Sequence, residues 1–537
     1  MSEAMSELEA QNEVNMTEAK EIMRALYGEN KPITDGNYDK ALAVKCINGT
    51  FVGKKTENII AYKGIPFVGR QPVRELRWKA PVDCVPDDGV YAAYYNGKSS
   101  CQVENPEEPA SVYYQGEDCL YLNIWKADDE AEGKKPVMVW IHGGAFELDG
   151  TVDPLYECHN FVTENPEVIV VSVAYRLGVL GFLHLSHLPD GADYPDAGNL
   201  GLMDQIMALK WVHENIEGFG GDPDNVTIWG ESAGAASVAL LPLIEGSHKY
   251  FKRVIAQSGA PTQTRSAEEA IAITDEMMEV LGCKTVSDLQ KVDARELVDT
   301  AGRLYGFYSV LGLCIFPEWD GTYLPSNPYA AYAKGAANDI TFLHGCNKDE
   351  MDVFALYYGE DNWNAWCEDR IAKKLAQLTD EEKKLVESFE DKSRLVEQIL
   401  FVAPQIRLAE EQVRGGGKSY TYLFTPESAY PGVGCGHAAE LAVVFSHQED
   451  NELMGRVLDE TFAKTMRKMW VQFATTGNPS LSADISPDGK AHEWPLYDLE
   501  DRKIMVFDEF DIHPEKESER KIVDWDRTYF LTNYYCI

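Results

Sequence analysis

Val226-Thr227-Ile228-Trp229-Gly230-Glu231-Ser232-Ala233-Gly234-Ala235-Ala236-Ser237-Val238-Ala239-Leu240-Leu241 sets one serine between two glycines, where an apolar, β-branched run gives way to small and aliphatic residues. The first half predicts a strand and the second a helix, so Ser232 falls on a sharp strand-to-helix turn. Such a turn strains the backbone of its central residue, and the flanking glycines let neighbouring segments come close. The hydroxyl then stands clear of the strand, with the Ala233 N–H and the positive end of the helix on the same side. The G-x-S-x-G spacing alone also fits an ordinary Gly/Ser turn. The strand before it and the helix after it supply the setting that a nucleophile elbow requires.

The neighbouring segments place this turn in an α/β sheet. Val137–Ile141 is continuously apolar and Val168–Val173 is apolar apart from Ser172, as strands buried on both faces are. Between the second run and the elbow, Met203, Ile206, Met207, Leu209, Trp211, Val212 and Ile216 recur at helical spacing over Leu202–Glu217. Strand, helix, strand, elbow, helix is a βαβα order, which predicts a parallel sheet. Further strands are expected at Ile59–Tyr62, Leu120–Trp125, Arg253–Ala256, Ile340–Gly345 and Tyr420–Phe424. Residues 265–335 and 360–415 read as charged helical excursions able to wall a site. Residues 1–40 read as a polar arm with a weakly amphipathic stretch around Glu18 to Tyr27, and residues 41–537 as one domain.

Composition narrows the partners. The 537 residues carry 49 Lys+Arg against 88 Asp+Glu, a net charge of −39. That balance disfavours nucleic acid and anionic membrane, and leaves neutral or cationic small molecules. With 45% hydrophobic residues the chain can fill a large core. The acidic start lacks the basic and apolar regions of a secretory leader, and no apolar run reaches 18 residues, so a cytoplasmic protein is expected, as monomer or homodimer. The 11 cysteines are scattered without C-x-x-C pairs, which argues against a zinc site or a full disulfide framework; no metal or cofactor is expected.

A serine hydroxyl needs a base within reach and a group to orient that base. His437, in the glycine-rich Gly434-Cys435-Gly436-His437 after the Tyr420 strand, is the candidate. His344 on a strand and His213 on a helix read as structural, and His447, His492 and His513 as surface residues. Asn347-Lys348-Asp349-Glu350 follows a strand, and either carboxylate could orient the base. The resulting order of serine, acid and histidine is that of α/β-hydrolases. Donors for a tetrahedral oxyanion are expected from Trp140-Ile141-His142-Gly143-Gly144-Ala145-Phe146, giving Gly144 and Ala145 beside Ala233. Phe146, Phe307, Tyr308, Phe316 and Trp319 are candidates for an aromatic pocket.

With these motifs in place the chain resembles the type-B carboxylesterase and cholinesterase family from about Gly49 to Asp498. The matching segments include Gly64-Ile65-Pro66-Phe67, Glu117 to Trp125, Tyr175-Arg176-Leu177-Gly178, Asn199 to Gln205, Asn215 to Pro223, Trp470 and Gly477-Asn478-Pro479. The resemblance implies an α/β-hydrolase fold and ester hydrolysis through an acyl-enzyme. It implies Glu350 as the acid, Gly144, Ala145 and Ala233 as the oxyanion hole, Glu231 as a buried carboxylate near His437, and a Cys101–Cys119 disulfide. The segment between those cysteines lacks the tryptophan with which cholinesterases hold choline, which points away from that activity. Amidase, lactonase or carbamate hydrolysis would use the same residues. A catalytically inactive binding protein is the reading from another class, disfavoured because serine, acid and histidine are all present.

Overall fold

Lys135–Ile141 is buried at every residue, and so is Ile169–Val173; runs with no polar face can only sit inside a sheet covered on both sides. The computed structural model describes residues 16–106, 108–129, 133–305, 315–376, 378–389, 391–450 and 453–520. They gather into two compact units, one built from residues up to Pro223 with 266–305 and 315–318, the other from Asp224–Arg265 and from Trp319 onward.

The first unit carries β1 (Lys54–Thr56), β2 (Ile59–Pro66), β3 (Tyr121–Ala127), β4 (Lys135–Ile141) and β5 (Ile169–Val173). They pair in the order β1-β2-β3-β5-β4. Only β5 and β4 are parallel, with Val171 opposite Val139. The helix Leu200–Asn215 lies where the periodicity places it, two residues earlier at each end. Residues 16–26 of the predicted arm are helical, and Met23 is buried in a cluster with Ala110, Val112, Tyr113 and Val152.

The second unit carries β6 (Gly221–Glu231, shared at its start with the first unit), β7 (Arg253–Gln257), β8 (Thr341–Asn347), β9 (Lys418–Phe424), β10 (Lys503–Asp508) and β11 (Asp511–Lys516). They pair in that order, parallel as far as β10, with β11 turning back antiparallel. Parallel strands all point one way, so their carboxyl ends gather on one edge, where ligand sites of such sheets form. Ser232, Ser258 and the loop from Lys348 follow directly on β6, β7 and β8. Between 360 and 415 the described residues form the helices Glu360–Leu375, Asp380–Glu387, Lys392–Glu397 and Ala403–Arg414. Among the described residues no helix is long and apolar enough to cross a membrane.

Two sequence readings change. β10 and β11 went unpredicted. His492, read as a surface residue, is 7% exposed, with Nε2 2.9 Å from Asp488 Oδ2: the short turn between them folds the ring inward onto a carboxylate.

Candidate active site

Ser232 stands between β6 and the helix Ala233–Leu240 with φ 55° and ψ −121°, a conformation that residues with a side chain rarely adopt. The surroundings hold it there. Its N–H donates to the Gln257 carbonyl at 2.8 Å, and its own carbonyl accepts from Ala236 N at 2.9 Å. At Gly259, just past β7, a Cβ would lie 2.1 Å from the Ser232 carbonyl oxygen and 2.8 Å from Ala235 Cβ. The elbow therefore depends on a glycine outside its own motif. Ala233 opens the helix, so its N–H has no acceptor within that helix.

The loop after β8 carries the two acidic candidates, and they face different partners. The fully buried Glu350 accepts from Ser258 Oγ at 2.5 Å and from Asn347 N at 2.7 Å. Its Oε2 lies 2.6 Å from His437 Nδ1, and His437 N donates to the Glu350 carbonyl at 3.1 Å. Asp349 turns away from the ring: its Oδ2 accepts from Cys435 N at 3.0 Å, while its Oδ1 lies 2.9 Å from Arg394. Arg394 also meets Asp352 at 3.0 Å and Glu397 at 2.9 Å.

The other ring nitrogen, His437 Nε2, is 3.1 Å from Glu231 Oε1. Phe401 and Phe354 pack on the imidazole with centroids 4.8 and 5.4 Å away. Burial among these rings lowers the ring's proton affinity, but the Glu231 and Glu350 carboxylates outweigh it and raise the pKa to about 9. Among the described residues no hydrogen bond joins Ser232 Oγ to His437; the imidazole is held between two carboxylates.

Behind these groups lies a polar network that the sequence reading missed. Glu440, fully buried, accepts from Asn347 Nδ2 at 2.6 Å and Gln257 Nε2 at 3.0 Å, and Trp470 Nε1 donates to Gln257 Oε1 at 3.0 Å. Burial and the Glu350 charge raise the Glu440 pKa. One signal was available: Gln257-Ser258-Gly259 leaves its strand as Glu231-Ser232 leaves β6.

In the first unit, Gly144, Ala145 and Phe146 have φ of 83°, 53° and 62°, three successive left-handed residues. A Cβ on Gly144 would fall 2.3 Å from the Leu148 carbonyl oxygen, so only glycine fits there. Among the described residues no backbone carbonyl takes the N–H of Gly144 or Ala145. His142 stacks on Tyr175 at 4.5 Å, and the Tyr175 hydroxyl donates to the His142 carbonyl at 2.9 Å. Burial lowers the His142 pKa to about 4.

Phe146 is fully buried, packed edge-on to Phe182 and to the half-buried Phe316. Trp319, in the second unit, is half-buried; Phe307 and Tyr308 lie outside the described residues. Cys101 and Cys119 are free thiols lining one small cavity, and burial pushes the Cys101 thiol up to about 12. Among the described residues no cluster of three or more His, Cys, Asp or Glu could hold a metal ion.

Comparison with known proteins identifies the family. The profile of the Carboxylesterase family matches residues 40–521. The para-nitrobenzyl esterase of Bacillus subtilis (strain 168) is 35% identical over 493 residues, covering 88% of this chain and 96% of that protein. The acetylcholinesterase of Bungarus fasciatus is 30% identical, over 88% of this chain and 81% of its own. Among solved structures, the Geobacillus stearothermophilus carboxylesterase EST55 superposes with a TM-score of 0.76 at 32% identity, covering 90% of this chain and 99% of the other. These neighbours share the α/β-hydrolase fold. The chain belongs to the carboxylesterase family and is a hydrolase of carboxylic esters.

Proposed function

We propose that Ser232, His437 and Glu350 are the nucleophile, base and orienting acid of an ester hydrolysis that runs through an acyl-enzyme. The observation that carries this reading is the 2.6 Å contact between His437 Nδ1 and the buried Glu350 carboxylate. An ionised carboxylate only accepts, so Nδ1 keeps its proton, and Nε2, which faces Glu231, becomes the base once the imidazolium has lost its second proton.

With the ring neutral, Ser232 gives its proton to Nε2 as its oxygen attacks the ester carbonyl. The tetrahedral oxygen takes a hydrogen bond from the Ala233 N–H, which opens the helix after the elbow without an acceptor inside it. Each such donor contributes about 2.7–4 kcal/mol to a transition state of this kind. The alcohol leaves with the proton from Nε2, and water then repeats the sequence on acyl-Ser232. Glu231, at 3.1 Å from Nε2, stabilises the imidazolium formed in both halves.

A chain of net charge −39 disfavours anionic substrates, and the likeness to a para-nitrobenzyl esterase supports neutral aryl and alkyl esters. Hydrolysis of p-nitrophenyl esters from acetyl to octanoyl tests the assignment: Ser232→Ala should lose about 10³-fold or more of turnover with every chain length. Wild-type turnover in that variant would end it.

A further inference from the structure

A second serine, histidine and glutamate meet in the first unit. His184 Nδ1 lies 2.7 Å from Glu318 Oε2, and His184 Nε2 lies 3.0 Å from Ser186 Oγ. The glutamate side chain is 5% exposed and the imidazole 14%, whereas Ser186 is on the surface. We propose that Ser186 is a second covalent acyl and phosphonyl acceptor, activated by His184 and Glu318 and distinct from Ser232.

The argument starts from the glutamate. Glu318 is clasped by its backbone to Asn199: its N–H donates to Asn199 Oδ1 at 2.9 Å, and Asn199 Nδ2 donates to its carbonyl at 2.8 Å. Gly198 makes room for the carboxylate, since a Cβ there would lie 2.6 Å from Glu318 Oε2. The histidine backbone is pinned too, its carbonyl accepting from Thr274 Oγ1 at 2.7 Å. A fixed carboxylate at Nδ1 sets the tautomer: Nδ1–H donates to Glu318, and the Nε2 lone pair accepts the Ser186 hydroxyl proton. That tautomer makes His184 a base toward Ser186. His187, whose ring centroid is 5.2 Å from that of His184, is tied by Nε2 to Asp275 Oδ1 at 2.9 Å, so it does not compete for the serine.

The reagents such a site takes are acyl or phosphonyl groups with a good leaving group, arriving from bulk solvent. With a p-nitrophenyl ester, Ser186 Oγ forms a bond to the carbonyl carbon, its proton passes to His184 Nε2, and the bond to nitrophenolate breaks. With an alkyl fluorophosphonate, a P–O bond forms, the P–F bond breaks, fluoride leaves and the proton again goes to Nε2. Neither step needs a further reactant.

The test uses full-length protein carrying Ser232→Ala, treated with an alkyl fluorophosphonate and mapped by peptide mass spectrometry. One adduct should appear on Ser186, be absent once Ser186→Ala is added, and form at least about tenfold more slowly with His184→Asn or Glu318→Gln. The same three changes in a chain that keeps Ser232 should leave p-nitrophenyl acetate turnover at the wild-type level, which shows that they fold. The proposal is overturned if no adduct maps to Ser186, or if folded His184→Asn and Glu318→Gln proteins label it at the unchanged rate. Both outcomes are independent of whether Ser232 is the ester-hydrolysing nucleophile.

Discussion

Two Ser, His and Glu groupings in one chain differ in what surrounds the imidazole. His437 is held between two carboxylates, Glu350 at 2.6 Å on one nitrogen and Glu231 at 3.1 Å on the other, with no hydrogen bond to Ser232 among the described residues. His184 has one carboxylate at 2.7 Å and already accepts from its serine at 3.0 Å. Hydrogen-bond distance between serine and histidine is thus the lesser part of a hydrolytic site. The elbow adds a backbone at φ 55°, which aims Ser232 beside the N–H at the start of a helix, and a second carboxylate to receive the imidazolium. Ser186 has the base, and among the described residues no second carboxylate meets His184, which is why capture of one reagent equivalent, rather than turnover, is assigned to it.

The largest effect that can break this contrast is the loss of the elbow serine: Ser232→Ala should abolish steady-state ester turnover while Ser186→Ala leaves it intact, and the reverse result would exchange the two roles. Next comes the acid. Glu350→Gln should lower kcat on a p-nitrophenyl ester by about 10²–10⁴-fold, because the ring loses the partner that sets its tautomer. Asp349→Asn should cost far less, and equal losses would undo the distinction drawn between the neighbours. Gly259→Ala forces a Cβ against the Ser232 carbonyl; a penalty of about 1–3 kcal/mol in unfolding free energy, with lowered kcat, is expected from denaturant titration and kinetics. Labelling of Ser186 should not change in that variant.

The smallest expected effect is a displaced pH profile. His437 is raised to about 9, so below that pH the ring holds the proton that Ser232 must give it, and kcat/KM should rise with pH through that range. Removing a negative neighbour disfavours the imidazolium, so Glu231→Gln should move the rising limb to lower pH. An unmoved limb would mean that Glu231 does not act on the ring.

Much of this was legible in the chain. β4 and β5 announce themselves because strands covered on both faces show no alternation of polar and apolar residues, Ser172 being the one polar residue within their apolar runs. The elbow, His437 and the Asp349-Glu350 pair were readable as local motifs. β10 and β11 were not: four consecutive apolar residues, Ile504 to Phe507, are too few to tell a strand from a buried turn, and β11 is polar and half-exposed. Local patterns also conceal partners that meet only in the fold. Gly259 gives no sign of its closeness to Ser232, Glu440 reaches Gln257 across 183 residues, and Glu318 reaches His184 across 134. The choice between Asp349 and Glu350 rests on which way each side chain turns from one loop, and no spacing rule records that.

The clasp at Asp349 has a bearing on how this enzyme could be re-tailored. Asp349 donates its N–H to the Cys435 carbonyl and takes the Cys435 N–H on its own carboxylate, both at 3.0 Å, two residues upstream of His437. The spacing between acid and base is thereby written into main chain, and from the segment 360–414 the Arg394 guanidinium reaches Asp349 while Phe401 packs on the His437 ring. Variation across that segment that keeps Arg394 should therefore leave the clasp its counter-charge.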